Sequence, residues 1–167
     1  MTHTLSVLIE NRPGALARVS NMFARRGYNI ESLAVGPTER PEYSRMTVVV
    51  RLTQKPVEQA IRQLQKLVPV IEVRELSPTD KIERELVLIK IKTPEKNHSE
   101  LRAIADTYEA QIVDVSPDAL MIEATGSAAK LDALEERLGA YGIQELCRSG
   151  RIALERGFKT LAPPHLK

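Results

Sequence analysis

Asn11-Arg12-Pro13-Gly14-Ala15-Leu16 is the segment of this chain whose residue types could hold a small molecule. Pro13 suits a first helical position, because it needs no intrahelical donor there. The amides of Gly14, Ala15 and Leu16 would then project from the positive end of a helix, and Gly14 has no side chain to block a guest. Such an end receives a small anion, for instance the carboxylate of a free amino acid. The same residues, with Glu10 before them, also read as an ordinary strand-to-helix turn.

Other chemistry is thinly represented. His3, His98 and His165 lie far apart, none beside a second metal ligand at finger-like or helical spacing. There is no Gly-x-x-x-x-Gly-Lys loop and no nucleophile elbow, and Gly142 and Gly150 belong to no dinucleotide fingerprint. Glu135-Glu136, and Glu83 with Glu85, read as solvated faces. Cys147 is the single cysteine, so no internal disulfide forms, and its place in an apolar strand suggests a small core residue. The 24 Lys and Arg residues are interspersed with 22 acidic ones, which argues against a nucleic-acid surface. Few strand aromatics are available to stack bases. No apolar run approaches the ~20 residues of a membrane span, and the N-terminus lacks an apolar signal core. These features suggest a soluble, cytoplasmic binding or regulatory protein rather than an enzyme.

The elements around the loop are legible. Leu5, Val7 and Ile9 alternate with Thr4, Ser6 and Leu8, a strand with one buried face. Leu16, Val19 and Phe23 mark one face of a helix that Arg25-Arg26-Gly27 closes, glycine as a left-handed cap and the arginines against the negative end. Strands follow at 28–35 and 43–52 across a turn-rich loop. A helix then carries Val57, Ala60, Ile61, Leu64, Leu67 and Val68, and a short strand spans 70–76. This β-α-β-β-α-β order is the ferredoxin-like split βαβ arrangement. It recurs as a strand at 85–92, a helix at 99–109 and strands at 111–115 and 119–124. A helix capped by Ser127 with Leu131, Leu134 and Leu138 follows, then a strand at 142–148. The fold class is therefore α+β with two such units. The boundary falls near Ser77-Pro78-Thr79-Asp80, and units this small often gain a core by association.

At this point the chain resembles the regulatory (small) subunit family of acetolactate synthase, in its bacterial form. The resemblance rests on Asn11-x-x-Gly14-Ala15-Leu16, Arg26-Gly27-Tyr28-Asn29-Ile30-Glu31-Ser32-Leu33, Ser44-Arg45-Met46-Thr47 and Gln63-Leu64-x-Lys66-Leu67-Val68. It continues through Glu83-Arg84-Glu85-Leu86 and Ser149-Gly150-Arg151-Ile152-Ala153-Leu154-Glu155-Arg156-Gly157, so it covers nearly the whole chain. The resemblance implies an ACT domain over 1–77, the family's C-terminal ferredoxin-like domain over 83–157, and a tail at 158–167.

It also implies a role and a site. The small subunit would raise the activity of a catalytic subunit carrying thiamine diphosphate, magnesium and flavin (FAD), holding no cofactor itself. It would confer feedback inhibition by valine or another branched-chain amino acid, bound across a homodimer of ACT domains. By motif, Asn11, Gly14, Ala15 and Leu16 of one subunit and Asn29 and Ile30 of the other form that site. The amides would hold the effector carboxylate. Asn11 could accept from the ammonium and donate to the carboxylate, Asn29 could approach the polar end, and Leu16 and Ile30 could line the apolar pocket. Local turn or cap bonding is the other use of both asparagines. Valine, leucine and isoleucine cannot be ranked by reading, since one methylene in an apolar pocket is worth only ~1–3 kcal/mol. The alternative function is a free-standing ACT-domain sensor acting on a different enzyme or on transcription.

Overall fold

Residues 1–52 and 56–163 are described in the computed structural model of the chain. Of the expected tail at 158–167, residues 164–167, with His165, lie outside the described residues. The elements run β1 (Thr2–Glu10), α1 (Ala15–Arg26), β2 (Asn29–Pro37), β3 (Tyr43–Arg51), α2 (Val57–Gln65) and β4 (Val70–Leu76). They continue as β5 (Lys81–Lys92), a 3₁₀ turn at Glu95–Asn97, α3 (His98–Thr107), β6 (Gln111–Ser116), β7 (Ala119–Gly126), α4 (Ala128–Gly139), β8 (Ile143–Arg148) and β9 (Ile152–Glu155). The first sheet has the antiparallel order β2-β3-β1-β4 and the second the order β6-β7-β5-β8. Both are the ferredoxin-like arrangement expected of the α+β repeat. β9, absent from the sequence reading, pairs with β5.

Two compact units result. One holds residues 1–82 with the described residues from Arg151 onward; the other is Glu83–Gly150. The second unit thus ends seven residues before the limit expected at 157, and the chain after Gly150 returns to the first.

In the first unit, Leu5, Val7 and Ile9 join Met46, Val48 and Val50 beneath Val19, Phe23 and Leu64. Phe23 meets Tyr28 edge to face, with ring centroids 6.0 Å apart. The stripe on α1 begins with Ala15, not Leu16. Ala15 is 3% exposed and Leu16 39%, because Ala15 shares the core-facing side of the helix with Val19 and Leu16 is turned off it. Val68 also departs from its expected stripe, lying beyond the end of α2 with most of its surface in solvent.

The larger departure concerns β1. Thr4, Ser6 and Leu8, expected on a solvated face, are also buried. The C-terminal segment covers that side. Ala153 N donates to Thr47 Oγ1 (3.2 Å), Arg151 N to Ser32 Oγ (2.8 Å), and Arg45 Nη2 to the Leu161 carbonyl (3.2 Å). Arg74 Nη1 donates to Glu155 Oε2 at 2.7 Å. Small hydroxyls on the outer face therefore serve as acceptors for a returning chain.

In the second unit, Val87, Ile89, Ile91, Leu120 and Ile122 of the sheet pack against Leu101, Leu131, Leu134 and Leu138. Ser127 caps α4 through Lys130 N, as its position suggested. Two expectations fail here. Glu85 is buried rather than solvated, because Arg148 reaches it (3.3 Å) while also binding Asp132 (2.6 Å) and Glu135 (2.8 Å). Cys147 is exposed rather than in the core, since Leu146 takes the inward place and the next residue on a strand points away.

Thr47→Val keeps the side-chain shape but strands the buried Ala153 amide, which costs about 1–3 kcal/mol. Urea or thermal unfolding should show that loss, Thr47→Ser should restore it, and unchanged stability would remove the bond from the account. Acid should act on the same segment. Hydrogen bonding from Arg74 holds the Glu155 carboxyl below its ordinary value of 4.5. A carboxyl depressed in the folded state stabilises it above the unfolded value and loses that contribution as pH falls through the folded one. Amide protection around Ala153 should therefore fall on acidification below 4.5, and Glu155→Gln should remove the pH step.

Candidate functional site

The loop after β1 turns on Gly14, the N-cap of α1, at φ 85° and ψ −11°. Only glycine enters this left-handed conformation without strain. The helix proper begins at Ala15, so Pro13 lies in the preceding turn and not at the first helical position. Ala15 N reaches back to the Arg12 carbonyl at 3.3 Å, and Arg18 N closes the first helical bond to Gly14 O at 3.1 Å. The Ala15 side chain sits in the core and anchors the turn.

Of the three amides expected to be free, that of Ala15 is therefore engaged by a long turn bond. Those of Gly14 and Leu16 meet no acceptor among the described residues. No side chain caps the helix, and its first turn contains no acid. Glu10, the nearest carboxylate in sequence, is paired with Arg12. A Cβ built on Gly14 would touch nothing within 4 Å, so the side-chain direction of Gly14 is open space. Positive helix-end potential, free donors and open space are what a carboxylate needs.

Asn11 makes the local bonds that the sequence left open as its other use. Its Nδ2 donates to the Pro41 carbonyl (2.8 Å) and its backbone N to the Glu42 carbonyl (2.8 Å). The side chain thus ties the loop between β2 and β3 to the loop after β1, which is the local-bonding use of asparagine. Its Oδ1 meets no donor among the described residues. Sequence reasoning did not single out Pro41 and Glu42, because a carbonyl acceptor has no side-chain signature.

Asn29 and Ile30 open β2, the edge strand of the first sheet. Asn29 is exposed and stands opposite Arg51; Ile30 stands opposite Val50 and packs against the first core. Arg51 in turn faces Thr2, whereas Asn11 follows Glu10 at the other end of β1. Nine residues of β1 separate the two levels, about 27 Å at a strand's rise. One chain therefore brings Asn11, Gly14, Ala15 and Leu16 together and leaves Asn29 and Ile30 at the opposite end of the sheet.

Among the described residues no three His, Cys, Asp or Glu side chains converge as metal ligands. No helix there is long and apolar enough to cross a membrane.

Comparison with known proteins places this geometry. Residues 5–72 match the profile of an AHAS small subunit-like ACT domain, and residues 84–157 that of the small subunit of acetolactate synthase. A probable acetolactate synthase small subunit of Archaeoglobus fulgidus is 48% identical over 159 residues, spanning 95% of this chain and 99% of that one. An acetolactate synthase small subunit of Mycolicibacterium smegmatis is 47% identical over 156 residues, with 93% and 92% covered. The crystal structure of the acetolactate synthase small subunit from Thermotoga maritima superposes with a TM-score of 0.87 at 35% identity, covering 94% of this chain and 98% of that one. With an ACT domain built around an open glycine turn and relatives matched over nearly their full length, the chain belongs to the family of acetolactate synthase small subunits.

Proposed function

We propose that this chain activates the catalytic subunit of acetolactate synthase and makes it responsive to valine or a related branched-chain amino acid. As a small subunit it is the non-catalytic part of a transferase holoenzyme. Thiamine diphosphate, magnesium and FAD would belong to the catalytic partner. The effector would lie between the ACT domains of two copies, its carboxylate on the amides of Gly14 and Leu16 and its ammonium near Asn11 Oδ1. Leu16 would supply apolar surface from one chain and Ile30 from the other, with Asn29 approaching the polar end.

The observation that carries this reading is the separation of the two residue sets. Asn11–Leu16 and Asn29–Ile30 lie at opposite ends of one sheet, so a site using both needs two chains. A two-fold pair supplies two such sites, each with the loop of one chain and the β2 start of the other. A ligand shared in this way biases subunit packing by its differential affinity for two arrangements. The effector would stabilise the arrangement that activates the catalytic subunit less.

Acetolactate formation by the cognate catalytic subunit, titrated with this chain, should rise saturably and fall again on adding valine. No stimulation at any ratio by folded protein would overturn the reading. Gly14→Asp adds a carboxylate where the effector's own would sit. The open space around Gly14, and the tolerance of aspartate for left-handed backbone, should hold the loss of stability to about 1–2 kcal/mol. Valine binding should disappear from that variant, and unchanged affinity would exclude the loop.

A mixing experiment tests the shared site. Gly14→Asp and Asn29→Ala copies, each defective alone, should on co-refolding recover about a quarter of the wild-type sites. Half of the pairs are mixed, and each mixed pair has one intact site. Recovery of none would mean that the two sets do not meet across a pair.

A further inference from the structure

The face of the first sheet turned away from α1 and α2 borders a cavity of about 500 Å³. Ser6 and Leu8 of β1, Tyr43 and Arg45 of β3, and Arg74 of β4 line it, and the C-terminal segment closes it through Leu161. Every lining residue belongs to the first compact unit, and none belongs to the loop at 11–16 or to the start of β2.

Its charges are unbalanced. Arg40, Arg45, Arg74 and Lys159 border the cavity against only Glu39 and Glu155. Arg74 is bound to Glu155 (2.7 Å) and Glu72 (3.2 Å), and Lys159 to Asp80 (2.8 Å) and Glu155 (3.4 Å). Arg45 differs. Its guanidinium donates to Ser6 Oγ (3.2 Å) and the Leu161 carbonyl (3.2 Å), both neutral, and no carboxylate lies within ion-pair distance among the described residues. Two of its five donors are thereby used. Burial, with the like charge of Arg74, pulls the Arg45 guanidinium below its ordinary value, against the opposing charges of Glu39 and Glu72. A half-buried cation whose hydrogen bonds go to neutral oxygens, with carboxylates only at longer range, gains from an anion that enters beside it. The rest of the wall is largely aliphatic, with Leu8, Leu76 and Leu161 among its members.

We propose that this cavity is a second ligand site that takes a small organic carboxylate with a short apolar body, its head on Arg45 and its body against Leu8, Leu76 and Leu161. The site stands apart from the effector loop, so its occupancy is independent of the residues assigned to valine. A ligand there also touches Leu161 and Arg74, two of the points that hold the C-terminal segment to the sheet.

The test is an NMR titration of the full-length labelled chain with propionate, hexanoate and inorganic phosphate at constant ionic strength. Hexanoate should move the Arg45 Nε–H and Leu161 amide signals saturably at millimolar concentration, bind more tightly than propionate, and outcompete phosphate. Its methylenes should show intermolecular contacts to the methyl groups of Leu8 and Leu161. Arg45→Gln should weaken it by about tenfold or more, as loss of a charged hydrogen bond does, while Gly14→Asp should leave it unchanged. Unmoved signals, absence of those contacts in the wild-type protein, equal binding by Arg45→Gln, or phosphate binding as well as hexanoate would each overturn the proposal. The contact measurement needs no variant, so the test stands even if Arg45→Gln misfolds.

Discussion

β1 is covered on both faces, and the rest of the first unit is arranged to meet that condition. A strand hydrogen-bonded on both sides and buried above and below has no freedom to slip, because a shift of one residue would exchange its two sets of side chains. Leu5, Val7 and Ile9 answer to the helices; Ser6 and Leu8 face the side of the returning C-terminal segment, and Thr4 accepts from Lys81. The two faces use different physics. The first is aliphatic and is stabilised by area removed from water, worth about 1.5–3 kcal/mol for each large side chain. The second is amphiphilic: hydroxyls of Ser6, Ser32 and Thr47 meet a guanidinium and backbone amides of an incoming chain. Fixing β1 in this way fixes where it ends, and so where the Gly14 turn presents its amides.

Local periodicity made most of the fold legible. The alternation from Thr4 to Ile9 and the spacing of Leu131, Leu134 and Leu138 depend only on near neighbours, and both elements lie where those residues point. Features settled by distant residues were not legible. Ser6 reads as solvated until the segment after Arg151 comes back, and Glu85 reads as solvated until Arg148 reaches it. β9 is four residues long and owes its existence to its neighbours. Cys147 and Leu146 are both apolar, so nothing in the sequence said which of the pair would turn inward.

At the candidate site the same division holds. Gly14 was readable as the bare position of the loop, but its left-handed conformation at φ 85° was not, because Pro13 reads equally well as the first helical residue and the helix starts two residues later. Nor was the fastening of Asn11 to Pro41, since any of several carbonyls could have accepted. That bond makes the loop after β1 and the loop between β2 and β3 a single stiff rim at one end of the sheet. An effector held there would contact a surface already assembled, and little ordering of loops would oppose its binding.

The return of the chain after Gly150 has a consequence for synthesis. The first unit is discontinuous, and the residues that finish it are made only after all of Glu83–Gly150. At roughly 5–20 residues per second, a nascent chain spends some seconds making Glu83–Gly150 with the outer side of β1 still bare. The interrupting unit is thus complete before the interrupted one. During that interval the hydroxyl-lined side of β1 is open to chaperones, or to the C-terminal segment of a neighbouring nascent copy.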